Sequence, residues 1–251
     1  MKNIKSKAWD EIGGLFWTEG RKTARPSREE IEQFLSGSSP EDNCLVLGAS
    51  TFYLIQVAAK RGMNVTVVDF SKKMLDDLQE YADFTLECVL ADILKPTLKE
   101  TLGNREFDLI VCDRLINRFH NVEVPAFFSN IEQLLTLNGS FHASIKMGLY
   151  PMDERLIDLA QKKGVLELVY EPESKTINYQ GAVDILKEAI LPHGEIDPEK
   201  LYRWYVGRNK ESRFSKDDIE ALIKNNSLFS NNEVDWEEFL QAPETFMLNI
   251  H

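Results

Sequence analysis

Apolar residues in the first 150 positions fall into two patterns, short continuous runs and sets spaced three or four residues apart. The runs predict strands over 43–48, 64–69, 86–90, 107–112 and 140–147. The spaced sets predict helices over 27–36, 52–61, 72–81 and 122–135. Strands that are apolar throughout and alternate with helices are typical of a parallel sheet covered on both faces. The pattern therefore predicts an α/β fold with a doubly wound, mostly parallel sheet.

The rhythm of the pattern changes after residue 150. Helices are predicted over 153–163, 181–190 and 215–223, and strands over 165–170 and 246–250. We expect three parts in the chain. Residues 1–40 precede the first strand, residues 41–150 form a ligand-binding core, and residues 151–251 complete the sheet and add a substrate cover.

Composition allows a large core and argues against a membrane protein. Of the 251 residues, 43% are hydrophobic and 28% charged, an ordinary globular mixture. No apolar run approaches the roughly 18 residues of a membrane span, and the N-terminus lacks the apolar centre of a signal peptide. We therefore expect a cytoplasmic location and no membrane partner. Cys44, Cys88 and Cys112 have no metal-ligand spacing and lie in apolar strands, which favours reduced core residues and no metal site.

The formal net charge is −12, and no dense stripe of Lys and Arg offsets it. A nucleic-acid backbone would on average be repelled, so we expect no nucleic-acid partner. One local basic patch contains Arg203, Arg208, Lys210 and Arg213. These side chains could form a binding site for a small anionic group. We favour the other interpretation, that they form a solvated charged face.

The turn after the first predicted strand is the main candidate for a ligand site. The segment Leu47-Gly-Ala-Ser-Thr joins a strand to a helix, whose first backbone N–H groups can hold an anionic group. Asp69 ends the next strand, where a carboxylate can accept both hydroxyls of a ribose. A dinucleotide-binding loop usually has the pattern G-x-G-x-x-G. Because Gly48 is followed by no such glycines, a pyrophosphate is disfavoured.

The order of these motifs resembles the Rossmann-like (class I) S-adenosylmethionine-dependent methyltransferases over residues 40–150. The resemblance implies a seven-stranded sheet, S-adenosyl-L-methionine as cofactor and a lid formed by the residues before the first strand. The common first motif has an acid ahead of its first glycine and further glycines after it, which this chain lacks. Closer is a variant that reads Leu-Gly-Ala-Ser/Thr, with Asp-x-x-x-Asn after the fourth strand, matched here by Asp113 to Asn117.

The resemblance also implies which residues contact the cofactor. In the family, the first loop surrounds the methionine part, acids after the second and third strands bind ribose and adenine, and the fourth strand ends near the reactive methyl group. The matching residues here are Gly48, Ala49, Ser50, Asp69, Phe70, Met74, Asp92, Ile93 and Asp113.

Asp113 and His120 are the candidate catalytic residues. Asp113 is placed to complement the sulfonium or to accept a substrate proton, although it can equally hold Arg114 or Arg118 in a structural pair. His120 is a second candidate base. The candidate substrate-binding residues, which include members of an expected aromatic cage, are Trp17, Arg25, Asn117, Tyr150 and Tyr205.

We therefore predict an S-adenosylmethionine-dependent methyltransferase that acts on a small molecule or a peptide. Direct in-line transfer depends more on alignment of the reactants than on acid–base chemistry. Two alternatives stay open. One is a non-catalytic module that binds the cofactor or a partner, and the other is an NAD-dependent oxidoreductase.

Overall fold

The strands and helices up to residue 150 follow the order predicted from the apolar pattern. The computed structural model describes residues 4–20, 25–225, 233–239 and 242–251. The strands are β1 (Asn43–Leu47), β2 (Asn64–Asp69), β3 (Glu87–Leu90), β4 (Phe107–Asp113), β5 (Leu135–Lys146), β6 (Tyr170–Glu171), β7 (Thr176–Asn178), β8 (Lys210–Ser212), β9 (Val234–Glu238) and β10 (Thr245–Ile250). The helices are α1 (Ile4–Ile12), α2 (Leu15–Thr18), α3 (Arg28–Phe34), α4 (Phe52–Lys60), α5 (Lys72–Tyr81), α6 (Leu98–Thr101), α7 (Val124–Leu134), α8 (Pro151–Lys163), α9 (Leu166–Val169), α10 (Val183–Ala189), α11 (Pro198–Arg208) and α12 (Lys216–Asn225). Among these helices, none is both long and apolar enough to span a bilayer.

Seven of the described strands form one sheet, in the order β3-β2-β1-β4-β5-β10-β9. Neighbours from β3 to β5 are parallel, whereas β10 runs antiparallel to both β5 and β9. The predicted doubly wound, mostly parallel sheet is thus confirmed. Because the parallel strands point the same way, their carboxyl ends share one edge of the sheet, which we call the carboxyl edge. Gly48, Asp69, Asp92 and Asp113 lie there.

Both faces of the sheet are buried, which explains the continuous apolar runs in its strands. On β1, Leu45 and Leu47 face a core built with α6, α7 and α12. Cys44 and Val46 face the opposite core, built with α3, α4 and α5. Each of these four residues is at most 1% exposed. The sheet is therefore a rigid base for the loops at its carboxyl edge.

Residues 151–212 form a second layer, which we call the cover. Helices α8, α10 and α11 enclose an apolar core of their own, and β6, β7 and β8 form a small antiparallel sheet. The N-terminal helix α1 packs on α11 through Ala8, Ile12, Leu201 and Trp204. The N-terminal helix therefore packs against the cover.

The predicted start of β5 was wrong. The strand begins at Leu135, directly after α7, so that Asn138 and Gly139 lie within it and do not separate it from the helix. A Cβ at position 139 would lie 2.8 Å from the carbonyl oxygen of Phe107, where the pairing of β4 with β5 is irregular. The glycine thus permits a close approach of two strands and is no helix stop.

The strand predicted over 165–170 was also wrong. Most of it is the one-turn helix α9, in which the N–H of Leu168 donates to the carbonyl of Val165 at 3.1 Å. Gly164, in the left-handed conformation, ends α8 immediately before it. Only Tyr170 and Glu171 pair as a strand, with β7.

Candidate functional site

The turn between β1 and α4 leaves the amide groups at the start of α4 without a side-chain cap. Gly48 has a φ of +93°, a conformation that favours glycine, and its N–H donates to the carbonyl of Val68 at 2.8 Å. Thr51 is the N-cap residue, but its side chain caps no N–H group of the helix. The indole of Trp17 donates to the carbonyl of Ser50 at 3.1 Å and fixes the turn from the N-terminal side. The start of α4 therefore presents partial positive charge to an anionic group.

Asp69 connects the turns that follow β1 and β2. One carboxylate oxygen accepts the N–H of Ala49 at 2.8 Å, and the other accepts the N–H of Ser71 at 2.7 Å. Burial raises the pKa of Asp69 to about 6, although these two N–H groups act in the opposite direction. A carboxylate oxygen accepts more than one hydrogen bond, so both oxygens keep acceptor capacity for a ligand.

The edge beyond Asp69 carries a second carboxylate and apolar side chains. Asp92 is partly exposed, and one of its oxygens accepts the N–H of Leu94 at 3.1 Å. Phe70 is partly exposed beside it, while Ile93 is 5% exposed. Met74, predicted to contact the cofactor, is fully buried in the core under α5. The helical period turns this side chain toward the sheet, and its contact with the cofactor stays a prediction.

Asp113 ends β4 with its side chain 9% exposed. The hydroxyl of Ser144 donates to its Oδ1 atom, and the Nε atom of Arg114 lies 3.5 Å from the same oxygen. The carboxylate thus has a structural neighbour in Arg114 and also borders a cavity. The two roles that the sequence suggests for Asp113, a structural pair with Arg114 and a contact with the cofactor or the substrate, are therefore compatible.

A cavity of about 450 Å³ lies between the carboxyl edge, the N-terminal helices and the cover. The sheet side contributes the segments 50–53 and 113–115. Nine of the described lining residues are aromatic: Trp9, Phe16, Trp17, Phe52, Tyr53, Tyr150, Tyr179, Trp204 and Tyr205. The charged and titratable side chains of the wall include Arg25, Arg114, Arg118, Arg208, Asp113 and His193. Size and lining are those of a small-molecule site.

Helix α1 fastens the N-terminal side of this cavity to three parts of the molecule. The hydroxyl of Ser6 donates to the carbonyl of Phe70 at 3.0 Å, in the turn after β2. The ammonium of Lys5 donates to the carbonyl of Arg118 at 2.9 Å, beyond β4. Arg203 on α11 pairs with Glu11 at 2.6 Å. The helix therefore joins the carboxyl edge to the cover.

The cavity collects four of the five predicted substrate residues, Trp17, Arg25, Tyr150 and Tyr205. The fifth, Asn117, is fully buried and lies outside the lining. Its amide donates to the carbonyl of Lys146 at 2.8 Å and accepts the N–H of Lys146 at 2.9 Å. With both ends of the amide satisfied, Asn117 holds the loop after β4 to β5, and its contact with the substrate stays a prediction.

His120 also lies outside the cavity lining. Its Nδ1 atom accepts the N–H of Val122 at 3.4 Å, and its backbone N–H donates to Glu123 at 2.7 Å. These bonds cap a short 3-10 turn ahead of α7. The structure thus gives His120 a capping role, and its role as a base stays a prediction.

The expected solvated face around Arg203 to Arg213 was wrong for two of its four members, Arg208 and Arg213. Arg208 is 4% exposed and Arg213 is 1% exposed. Arg208 holds Glu211 with two hydrogen bonds, and Arg213 holds Asp153 in the same way. Burial alone would raise the pKa of Glu211, but the surrounding guanidinium groups lower it to about 2. These pairs form a buried network that ties α8, α11 and β8 together.

Three further residues of the cavity, Arg114, Arg118 and His193, were absent from the predicted site. Arg114 directly follows Asp113, so the strand end that indicated the acid also placed the arginine at the carboxyl edge. Arg118 lies one turn further, where its guanidinium sits over the rings of Tyr150 and Trp204. His193 comes from a loop of the cover, for which the sequence gives no signal.

Comparison with known proteins gives two kinds of match. A methyltransferase-domain family model matches residues 45–139, from β1 into β5. A crystal structure from Rhodobacter sphaeroides, named as a proposed Zn-dependent alcohol dehydrogenase, is 38% identical, with a TM-score of 0.91 over 100% of this chain and 99% of that one. None of the curated proteins matches the chain.

Methyltransferases of lower identity share the fold. The CcbJ methyltransferase from Streptomyces caelestis is 13% identical, with a TM-score of 0.61 over 98% of both chains. The magnesium protoporphyrin IX methyltransferase from Synechocystis, with bound S-adenosylhomocysteine, is 12% identical, with a TM-score of 0.54 over 98% of both chains.

Proposed function

We propose that the chain is a class I S-adenosylmethionine-dependent methyltransferase with S-adenosylmethionine as its cofactor, and that it methylates a small molecule bound between the sheet and the cover. One observation carries this proposal. The aromatic cavity of about 450 Å³ is bordered by the turn after β1 and by Asp113, the two places where the cofactor's reactive end is expected. Enclosure by sheet, N-terminal helices and cover suits a compact acceptor better than a peptide.

The residues along the carboxyl edge fit the cofactor. Asp69 would accept the ribose hydroxyls, and Asp92 would accept the adenine amino group. The uncapped start of α4 suits the amino-acid carboxylate, with Arg25 beside it, since Arg25 donates to the hydroxyl of Tyr53 at 3.0 Å in the first turn of that helix. The Nε atom of Arg25 has no hydrogen-bond partner among the described residues and is buried, which leaves one donor for that carboxylate.

We also assign the first motif to the Leu-Gly-Ala-Ser/Thr variant of the family. Gly48 alone has the positive φ that demands glycine in this turn. Ala49 is fully buried, and its N–H is bound by Asp69. The contact between the turn and Asp69 fixes the loop, so additional glycines are not needed for its conformation.

When bound, the cofactor supplies a methyl group made electrophilic by a positive sulfonium. The chain's own contribution is to orient the acceptor, exclude water with the aromatic wall and place Asp113 nearby. The Oδ1 atom of Asp113 is occupied by Ser144, and its second oxygen is the acceptor for a proton that leaves the methylated atom. Alignment of the acceptor supplies most of the rate enhancement in such a site.

The name of the relative from Rhodobacter sphaeroides suggests a zinc-dependent alcohol dehydrogenase as an alternative. Zinc sites use three or four ligands from His, Cys, Asp and Glu. No group of three or more such side chains that could hold a metal ion occurs in the ranges of this chain that the structure describes. The donor set of the described residues therefore does not fit zinc, and no step is assigned to it.

Calorimetric titration with S-adenosylhomocysteine and with NAD tests the proposal. We expect saturable binding of S-adenosylhomocysteine and none of NAD. Binding of NAD alone would refute the methyltransferase assignment. Binding of S-adenosylhomocysteine without methyl transfer from S-adenosylmethionine to any acceptor in a broad panel would favour the non-catalytic module.

The variant Asp69→Ala locates the cofactor. It should weaken binding of S-adenosylhomocysteine at least about tenfold, because hydrogen bonds between a carboxylate and two hydroxyls are lost. Asp76→Ala is the matched control, since Asp76 lies on α5 and pairs only with exposed Lys72. Equal affinities of the two variants would show that the ribose does not bind at Asp69.

A further inference from the structure

One edge of the Arg114 guanidinium has no hydrogen-bond partner. The Nε and Nη2 atoms are buried, and neither donates to any described residue. The nearest carboxylate oxygen, Oδ1 of Asp113, lies 3.5 Å from Nε and already accepts the Ser144 hydroxyl. Burial acts to lower the pKa of Arg114, but the electrostatic effects of Asp113, Tyr150 and Glu30 raise it. Buried N–H groups of a cation are costly to leave unbonded, so this edge indicates a missing ligand.

Two other buried arginines show what this edge binds in the same protein. Arg208 uses Nε and Nη2 to hold both oxygens of Glu211. Arg213 uses the same two atoms to hold both oxygens of Asp153, at 2.6 and 3.2 Å. This planar fork matches the two oxygens of a carboxylate. Arg114, which lines the cavity, has the same fork without a carboxylate hydrogen-bonded to it.

The backbone at Arg114 is held in an unfavourable conformation. Its φ is +50°, in the left-handed region that favours glycine, and its N–H is fixed by the carbonyl and hydroxyl of Ser144, each at 3.0 Å. Strain of this kind persists where the surrounding structure enforces it and concentrates at functional sites. Here it sets the direction in which the side chain leaves β4.

Two more donors in the cavity wall, the hydroxyl of Tyr150 and the indole N–H of Trp204, are buried and have no hydrogen-bond partner among the described residues. Within the part of the chain that the structure describes, the wall contains four arginines and one carboxylate, Asp113. Glu211, behind the wall, pairs with Arg118 and Arg208, but the fork of Arg114 stays unmatched. In a chain of net charge −12, this local excess of cationic and neutral donors favours an anionic ligand.

We propose that Arg114, with the hydroxyl of Tyr150, binds a carboxylate of the methyl acceptor, and that the acceptor is therefore a small organic acid with an apolar, ring-sized body. This inference rests on the proposed function, whose acceptor class it names. The carboxylate serves as an anchor and not as the methylated atom, because pairing with a guanidinium lowers its nucleophilicity. The aromatic wall takes the apolar body of the acid.

The amino-acid part of the cofactor also carries a carboxylate. The experiment must therefore show whether Arg114 binds the carboxylate of the cofactor or that of the methyl acceptor. The uncapped start of α4 and Arg25 border that part of the site, whereas Arg114 leaves the end of β4. 5′-Methylthioadenosine lacks the amino-acid part. The ratio of S-adenosylhomocysteine affinity to methylthioadenosine affinity should therefore be the same in the wild type and in Arg114→Gln. A ratio that falls about tenfold in the variant would overturn the proposal and assign Arg114 to the cofactor.

The acceptor side is tested by calorimetry on the full chain saturated with S-adenosylhomocysteine. The probes are benzoate, 2-naphthoate, indole-3-carboxylate and hexanoate, each beside its neutral primary amide, together with phenyl phosphate. At least one carboxylate should bind about tenfold more tightly than its amide, since two charge-assisted hydrogen bonds are at stake. That preference should vanish in Arg114→Gln, shrink in Arg114→Lys and persist in Arg105→Gln, which alters an exposed pair with Glu87.

Tyr150→Phe provides a variant that removes only a hydroxyl without a partner, so its melting temperature should not fall. It should lower carboxylate affinity several-fold, by the loss of one hydrogen bond to a charged group. The proposal is overturned if no carboxylate binds better than its amide or if only phenyl phosphate binds. It is also overturned if Arg114→Gln and Tyr150→Phe both keep the wild-type preference for the carboxylate over the amide. Failure to bind S-adenosylhomocysteine at all would instead refute the proposed function.

Discussion

Lowering the pH from 7 to 5 should weaken binding of S-adenosylhomocysteine about tenfold through Asp69. Burial raises the pKa of this carboxyl from its ordinary 3.8 to about 6, with Asp10 adding to the rise. With a pKa near 6, about ten elevenths of the molecules carry the ionised carboxylate at pH 7 and about one eleventh at pH 5. Only the ionised form accepts hydrogen bonds at all of its lone pairs. Affinity should therefore be complete above pH 7 and lost as the pH falls through about 6.

The assay is calorimetric titration at pH 5, 6 and 7, repeated in buffers of different ionisation enthalpy. Binding selects the ionised carboxylate, so about half a proton should be released per ligand at pH 6. Circular dichroism at each pH verifies that the fold is retained. Asp69→Ala serves as the control, because its residual affinity should not change over this range.

Equal affinities of the wild type at pH 5 and pH 7, with the fold intact, would refute the reasoning. Such a result would mean that Asp69 does not bind the ribose or that the carboxylate is already ionised at pH 5. A pH dependence that survives in Asp69→Ala would place the titrating group elsewhere.

Two predictions concern stability. Gly48→Ala should lower the unfolding free energy by about 1–2 kcal/mol, because a φ of +93° disfavours any residue with a side chain. A steric clash is not the cause, since the atom nearest to the new Cβ, Oγ of Ser50, is 3.9 Å away. Urea denaturation measures the loss, and an unchanged unfolding free energy would contradict the backbone argument. Arg213→Met should cost about 3–5 kcal/mol by leaving Asp153 buried without its main cation, whereas Arg105→Met at an exposed pair should cost less than about 1 kcal/mol. Thermal denaturation of both variants compares them, and equal melting temperatures would show that the buried pair is dispensable.

The sheet was predictable because its strands are buried on both faces. Few elements other than buried strands produce apolar runs such as residues 43–47 and 107–112. The first run is followed by the turn at Gly48 and the second by Asp113, both at the carboxyl edge. By contrast, β9 has the sequence Val-Asp-Trp-Glu-Glu and lies at the edge of the sheet with three of its five residues exposed. Its pairing with β10, and not its own pattern, makes it a strand.

The ends of the strands also made the cofactor side of the site predictable from the sequence. The contribution of the cover to the site was not predictable in this way. Asp69, Asp92 and Asp113 follow apolar runs, so topology alone brings them to one edge. The buried state of Arg208 and Arg213 depends on Glu211 and Asp153, one of which lies about sixty residues away. A charged side chain has no sequence pattern that distinguishes a solvated position from a buried pair, which is why this network was mistaken for a solvent-exposed face.

The contacts of helix α1 also have a consequence for the order in which the protein matures. This helix is synthesised first, yet its partners Phe70, Glu123 and Arg203 follow their contacts on α1 by 64, 118 and 192 residues. A nine-residue helix is not stable alone in water, so α1 becomes stably folded only when these partner residues are present. During translation, α1 therefore completes its contacts only after α11 has left the ribosome. The side of the cavity that α1 and α11 form together is thus assembled late in synthesis, after the strands of the carboxyl edge.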